Sequence, residues 1–326
     1  MNSASNATWK RKDDEMKRSS TVEKLLVICV LPCALLFVLI SSGVAAVKLR
    51  YITSIYSHYS NEKETPLRQP EGVACNNKSI LIVADSGNGR LLRYNLMGGV
   101  LGTESVEIKV DRVLYPVKTE INSRGEIYTL DRRQRTIIRL TPAGKFIGYL
   151  QPTHLPSPAS YVPRSFHIDE RDNIYILDIS SRRVLILNPE GEYVGEIKCP
   201  EGYGPFSDVT VDFKGTVLLL DGVNGMVFSS TKPSAGFSPL TGSLKEYVRF
   251  PASLTTDKRG RIYLVDRNGG SILILGQDGS FLERQLEMGW KEGRLNYPGQ
   301  MCINGEGEVF VADTRNSRVQ IFKEVE

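Results

Sequence analysis

The apolar and polar positions of the chain repeat one unit six times. In each unit a short apolar run ends in Asp, a polar loop of about four residues follows, and a second apolar run returns. The copies fall at 80–94, 126–140, 173–187, 216–229, 261–275 and 308–322, and their shared acids are Asp85, Asp131, Asp178, Asp221, Asp266 and Asp313. Two apolar runs of four to six residues joined by a tight polar loop predict a strand hairpin. The acids recur at intervals of 46, 47, 43, 45 and 47 residues, a period that marks a repeat protein with room for four short strands per unit.

The residues flanking each hairpin supply the other strands. Turn pairs such as Lys214-Gly215, Arg259-Gly260 and Glu306-Gly307 precede the copies, and Pro142-Ala143-Gly144, Pro189-Glu190-Gly191 and Asp278-Gly279 follow them. Gly sits at these points because a tight hairpin needs positive φ. Four antiparallel strands per unit make a propeller blade, and one blade cannot bury both its faces alone, so six stack around an axis. The predicted fold class is all-β, a six-bladed β-propeller over 70–326. Blade 4 is the outlier, with a loop insertion at 230–240.

These features resemble the NHL-repeat propellers. The last unit carries the likeness best, with Gly293-Arg294-Leu295-Asn296-Tyr297-Pro298 leading into Val311-Ala312-Asp313-Thr314-Arg315-Asn316-Ser317-Arg318. The resemblance covers about 66–322. It implies the fold, and for function it implies a range that includes adaptors, RNA binders and a few enzymes.

The N-terminal side is of a different kind. Residues 1–24 are polar and charged and read as a cytoplasmic tail. The stretch from Leu25 to Val47 holds 23 residues without a charge, long enough as a helix to span a bilayer. Six Lys/Arg precede it, which orients the tail to the cytoplasm and the propeller to the extracytoplasmic side of a single-pass membrane protein. A cleaved signal ending near Gly43-Val44-Ala45-Ala46 is the alternative; the long leader and long apolar core argue against it. Residues 49–59 are β-branched and aromatic, whereas the chain ends just after the third strand of blade 6. The segment 51–59 is therefore expected to supply the outer strand of that blade, with 61–69 a polar connector.

Net charge is +4, from 41 basic and 37 acidic residues. So even a balance lacks the electrostatic footprint of a nucleic-acid binder. The five cysteines show no framework or zinc spacing, and buried free thiols are the expectation.

Candidate chemistry comes from two places. Along the first strand of each blade, one parity is polar and is expected to face the central channel. It brings Lys118, Glu120, His167 and Asp208 onto three consecutive blades, a set able to hold a polar ligand or to do acid–base work. A catalytic metal is not expected. Amidating-lyase-type propellers bind zinc through several histidines, and this chain has three, of which only His167 lies on an inner strand. The lactonase type uses Glu, Asn and Asp, for which Glu71 and Asp208 are weak candidates beside the cations Lys118 and Arg164. No cofactor is implied. The second constellation is arginine. Arg90, Arg183 and Arg318 match the repeat's structural Arg, but Arg132, Arg133, Arg135 and Arg182 exceed the pattern and, with Arg164, form a candidate anion-binding patch. The reading is a membrane-anchored binding or scaffold propeller for a protein or an anionic polymer such as an acidic glycan. The alternative is a hydrolase or lyase using the channel.

Overall fold

The structure, a computed structural model, describes residues 47–60, 63–77, 80–97, 100–108, 112–157 and 160–325. The tail 1–24 and the apolar stretch 25–46 lie outside the described residues. Among those described, no helix is long and apolar enough to cross a membrane.

Six four-stranded antiparallel sheets form the blades of a propeller. Five run in chain order from inner to outer strand. The inner strands are Gly72–Cys75, Pro116–Ile121, Pro163–Ile168, Phe206–Val211, Pro251–Thr256 and Met301–Ile303. The second strands, such as Ile127–Asp131, Ile174–Asp178 and Ile262–Asp266, are buried at every position. Each lies between two neighbouring blades, and this is why they read as continuous apolar runs rather than alternating ones. Six apolar clusters result, one at each junction between adjacent blades.

The six Asp residues of the repeat are fully buried. Each carboxylate accepts backbone N–H groups from the loop entering its blade and, in most blades, from its own hairpin loop. Asp131 takes Tyr115 N at 2.8 Å and Arg133 N at 2.9 Å, and Asp221 takes Gly204 N at 2.7 Å and Asn224 N at 2.8 Å. Arg90, Arg183 and Arg318 donate to Asp85, Asp178 and Asp313 at 2.7, 3.1 and 2.7 Å. Burial raises the Asp178 pKa, but hydrogen bonds from Ser180, Val162 N and Arg183 outweigh it and hold the group below its ordinary value. These acids staple loops together.

Blade 6 takes its outer strand from the N-terminal side. Lys48–Ile55 pairs antiparallel with Arg318–Val325, from Lys48 opposite Val325 to Ile55 opposite Val319. The strand starts three residues earlier than the sequence expectation of 51–59. Val47, counted there with the apolar stretch, is instead buried in the cluster between blades 5 and 6. Residues 61–69 are not a plain connector either. Ser57–Ser60 pairs with Lys63–Pro66 in a hairpin, and His58 Nδ1 lies 2.6 Å from Ser105 Oγ on the outer strand of blade 1.

The expectation of free thiols fails at two positions. Cys75 and Cys302 form a disulfide between the inner strands of blades 1 and 6, Cα to Cα 6.0 Å. They are 227 residues apart, so no local spacing signals the pair. The ring returns blade 6 to blade 1 and brings them together. Cys199 is free and buried, and burial pushes its thiol up to about 12.

Candidate ligand cleft at the channel mouth

Four of the six inner strands begin with an irregularity. In blades 2 to 5 the register with the second strand shifts between Pro116 and Lys118, Pro163 and Ser165, Phe206 and Asp208, and Pro251 and Ser253. One extra residue is inserted at each, and a bulge of this kind re-aims a side chain. The inserted residues are Val117, Arg164, Ser207 and Ala252. With Glu71 and Gly299, at the corresponding points of blades 1 and 6, they line a single cleft at the mouth of the channel. Gly299 is required there: a Cβ would lie 2.2 Å from the carbonyl oxygen of Glu71.

Beneath the mouth, Asp208 is the hub. It is 2% exposed and accepts Ser253 Oγ at 2.8 Å, Leu254 N at 2.9 Å and Val209 N at 2.9 Å. Lys118 Nζ and Ser165 Oγ also donate to it in short contacts. A carboxylate with all of these donors has no free lone pair for a metal or a substrate proton. Beside the hub, Gln300 reaches from blade 6 past blade 1 to blade 2. Its Oε1 accepts Val73 N at 3.2 Å and Thr119 N at 3.1 Å, and its Nε2 donates to Thr119 O at 3.0 Å. Gly72 opens this path, since a Cβ there would sit 3.2 Å from both Gln300 Oε1 and Lys118 Cα.

Above the hub the charge is positive. Arg132 holds Glu71 with both prongs, at 2.9 and 2.7 Å, and Tyr115 donates to the same carboxylate at 3.0 Å. Arg267 approaches Glu71 less closely, at 3.6 Å, and donates to Pro298 O at 3.3 Å. Burial lowers the Arg267 guanidinium below its ordinary pKa; Glu71 opposes the shift, and Arg132 and Arg164 add to it. Tyr297 lies beneath both Arg267 and Arg315, with 5.3 and 4.3 Å from guanidinium to ring centre.

The residues expected to form one channel set separate into two pairs. Lys118 and Asp208 are joined through Ser165; Glu120 pairs with His167, Oε1 to Nδ1 at 3.7 Å. The two weak metal candidates do not act as one site, because Glu71 is taken by Arg132 and Asp208 by Lys118. Among the described residues no cluster of three or more His, Cys, Asp or Glu could hold a metal ion. Of the five arginines singled out, the cleft gathers Arg132 and Arg164. Arg133 lies over Tyr115 and Arg135 is exposed with positive φ. Arg182 donates to Pro200 O and Tyr203 O at 3.0 and 2.9 Å. Arg267 completes the group. It follows the repeat Asp in blade 5 as Arg132 does in blade 2, and that shared offset is the signal that could have picked it out.

An NHL repeat matches residues 295–322. The human protein named NHL repeat-containing protein 3 is 36% identical over 75 residues, and its mouse counterpart likewise. The aligned part is about a fifth of this chain and, at 22%, of the relatives' own length. Solved structures of the same fold include virginiamycin B lyase from Staphylococcus aureus, at 14% identity and TM-score 0.60 over 86% of this chain and 100% of that one. Another is a gluconolactonase from Xanthomonas campestris, at 10% identity and TM-score 0.61 over 87% and 99%. A chain of a nidogen/laminin complex matches at 16% identity and TM-score 0.57 over 77% and 96%. With the six-bladed architecture, these matches support an NHL-repeat β-propeller.

Proposed function

We propose that this chain is an extracytoplasmic binding propeller, held to a membrane by residues 25–46, that receives an acidic protein on the loop face around its channel mouth. The composition of that face carries the reading. Arg132, Arg133, Arg164 and Arg315 surround the mouth, and exposed Ile179, Val223 and Trp290 stand on the same set of loops. Trp290, in the loop entering blade 6, is 78% exposed. Arginine and aromatic residues together are the compositional mark of a protein interface. The Cys75–Cys302 bond supports the location, since stable disulfides belong to oxidising compartments.

The test is retention of partners from solubilised membranes by the full chain, against a variant carrying Arg133→Ala, Arg315→Ala and Trp290→Ala. Loss of specifically retained proteins with an unchanged melting curve is the expected result, and an unchanged set would overturn it. A second reading, a channel hydrolase or lyase, draws on the fold likeness to the lyase and the gluconolactonase. About one tightly held divalent ion per chain, purified without chelator, would move the balance to it.

A further inference from the structure

We infer that Arg164 and Arg267, braced by the Arg132–Glu71 pair, form a site for one oxyanion end group of a ligand, a carboxylate or a phosphate ester. The inference deepens the binding-propeller reading and rests on it. Three guanidinium groups from blades 2, 3 and 5 line one cleft with a single carboxylate, Glu71. The other charged residues on the cleft wall, Lys118 and Asp208, cancel as a pair. The cleft therefore carries two positive charges more than its own acids balance.

These charges are not equally engaged. Arg132 is committed to Glu71 by its two-pronged contact. Arg267 has one carbonyl partner and a long approach to the same carboxylate. Arg164 makes no hydrogen bond, ion pair or ring contact with any described residue. It is nevertheless built in place: Pro163 fixes the backbone before it, and the bulge turns the residue into the mouth. A partly buried guanidinium such as Arg267, facing two of its own kind, is unfavourable unless an anion joins it. Guanidinium groups bind carboxylate and phosphate through paired N–H donors.

Size narrows the occupant. The cleft encloses about 60 Å³, room for a few waters or one oxyanion group and far less than the several hundred Å³ of a pocket for a whole small molecule. The hub at Asp208 and the Gln300 bridge lie beneath it. The end group of the ligand enters and its body stays on the loop face.

The experiment is calorimetric titration of the full chain in detergent with inorganic phosphate and, separately, with acetate, ionic strength being held constant with chloride. One saturable site is expected, and whichever probe binds more tightly identifies the end group. Arg164→Ala, an exposed position whose loss spares the fold, is expected to weaken binding by at least about tenfold, the weight of one charge-assisted contact. Arg164→Lys should retain part of the affinity. Glu71→Gln should tighten it, because the competing carboxylate is gone, and a merely structural role would not produce that gain. Identical affinity in wild type and Arg164→Ala, or heat no larger than chloride gives, overturns the site. The two readings fail separately. If partner retention survives while oxyanion binding is absent, the site falls and the binding propeller stands. If partners are lost from no loop-face variant while phosphate or acetate still binds, the site stands and its assignment to a protein ligand falls.

Discussion

Replacing Cys75 with Ser tests both how the ring is held and where the protein works. The bond joins residues 227 positions apart, nearly the whole propeller. A cross-link closing a loop of that length removes about 18 cal/mol/K of entropy from the unfolded chain, an upper limit of about 5 kcal/mol at 25 °C. The unit spanning residues 46–326 unfolds with about 0.6 kcal/mol/K of entropy at the size-scaled average. The loss therefore corresponds to a fall in melting temperature of up to about 9 °C. The strand Lys48–Ile55 still closes the ring in the variant, which keeps the real fall below this ceiling. Thermal melts monitored by circular dichroism, with and without reductant, give the internal control. Reductant should lower the wild-type midpoint toward that of Cys75→Ser and leave the variant where it is. A non-reduced digest should yield one peptide pair linked through Cys75 and Cys302. If both cysteines are alkylated as free thiols and reductant does not move the midpoint, the staple is absent and the argument for an oxidising compartment falls with it.

Two further outcomes follow from buried groups. Asp208→Asn leaves Lys118 buried without its counter-charge, at a cost of about 3–5 kcal/mol. Urea denaturation should show most of that loss recovered when Lys118→Met is added, and a single-variant cost below about 1 kcal/mol would remove Asp208 as the hub. His58 is 2% exposed and its Nε2 has no hydrogen-bond partner. Burial, reinforced by Arg90, lowers its pKa from the ordinary 6.5. Below 6.5 the unfolded chain therefore takes up a proton that the folded one refuses. Stability is full above pH 6.5 and declines as pH falls toward the lowered value. His58→Phe should flatten the difference between urea midpoints at pH 7.5 and pH 5.5, and equal differences in both proteins would count against it.

The fold was legible because its signal is repeated. Six apolar runs ending in Asp, with Gly at the hairpin turns, leave little freedom in reading the blades. The same repeat marks Arg90, Arg183 and Arg318 as loop-bracing groups. The cleft was harder to read. Lys118 and Asp208 were placed on one channel side by strand parity, and they do meet. Parity does not give distance along the axis, so Glu120 and His167 appeared to join a set from which they stand apart. Arg164 was grouped with the arginines of the anion-binding patch and not with the channel set, because a bulge inserts one residue and shifts parity at the point where the chain enters the mouth. Arg267 carried no signal beyond its offset from Asp266. The Cys75–Cys302 bond and the Ser57–Pro66 hairpin depend on contacts that exist only after the ring has closed or the chain has folded back on blade 1.

The division of labour within each blade explains why the mouth is the place to look for function. The Asp, its loop partners and the turn glycines are bound to the blade's own hydrogen bonds. A change there is felt by two loops at once. The bulge residue and the residue after the Asp are engaged unequally: Ser86, Arg267 and Thr314 donate to Pro116 O, Pro298 O and Pro70 O of the next blade, whereas Arg164 has no such partner among the described residues. At the bulge, or the corresponding point of blades 1 and 6, stand Glu71, Val117, Arg164, Ser207, Ala252 and Gly299. After the Asp stand Ser86, Arg132, Ile179, Gly222, Arg267 and Thr314. These two rings differ in side chain from blade to blade, and in this chain they hold all three guanidinium groups of the cleft. Blades 2, 3 and 5 contribute one each, so no single repeat carries the site. A positive cleft of this kind exists only when six blades of unlike sequence close on one axis.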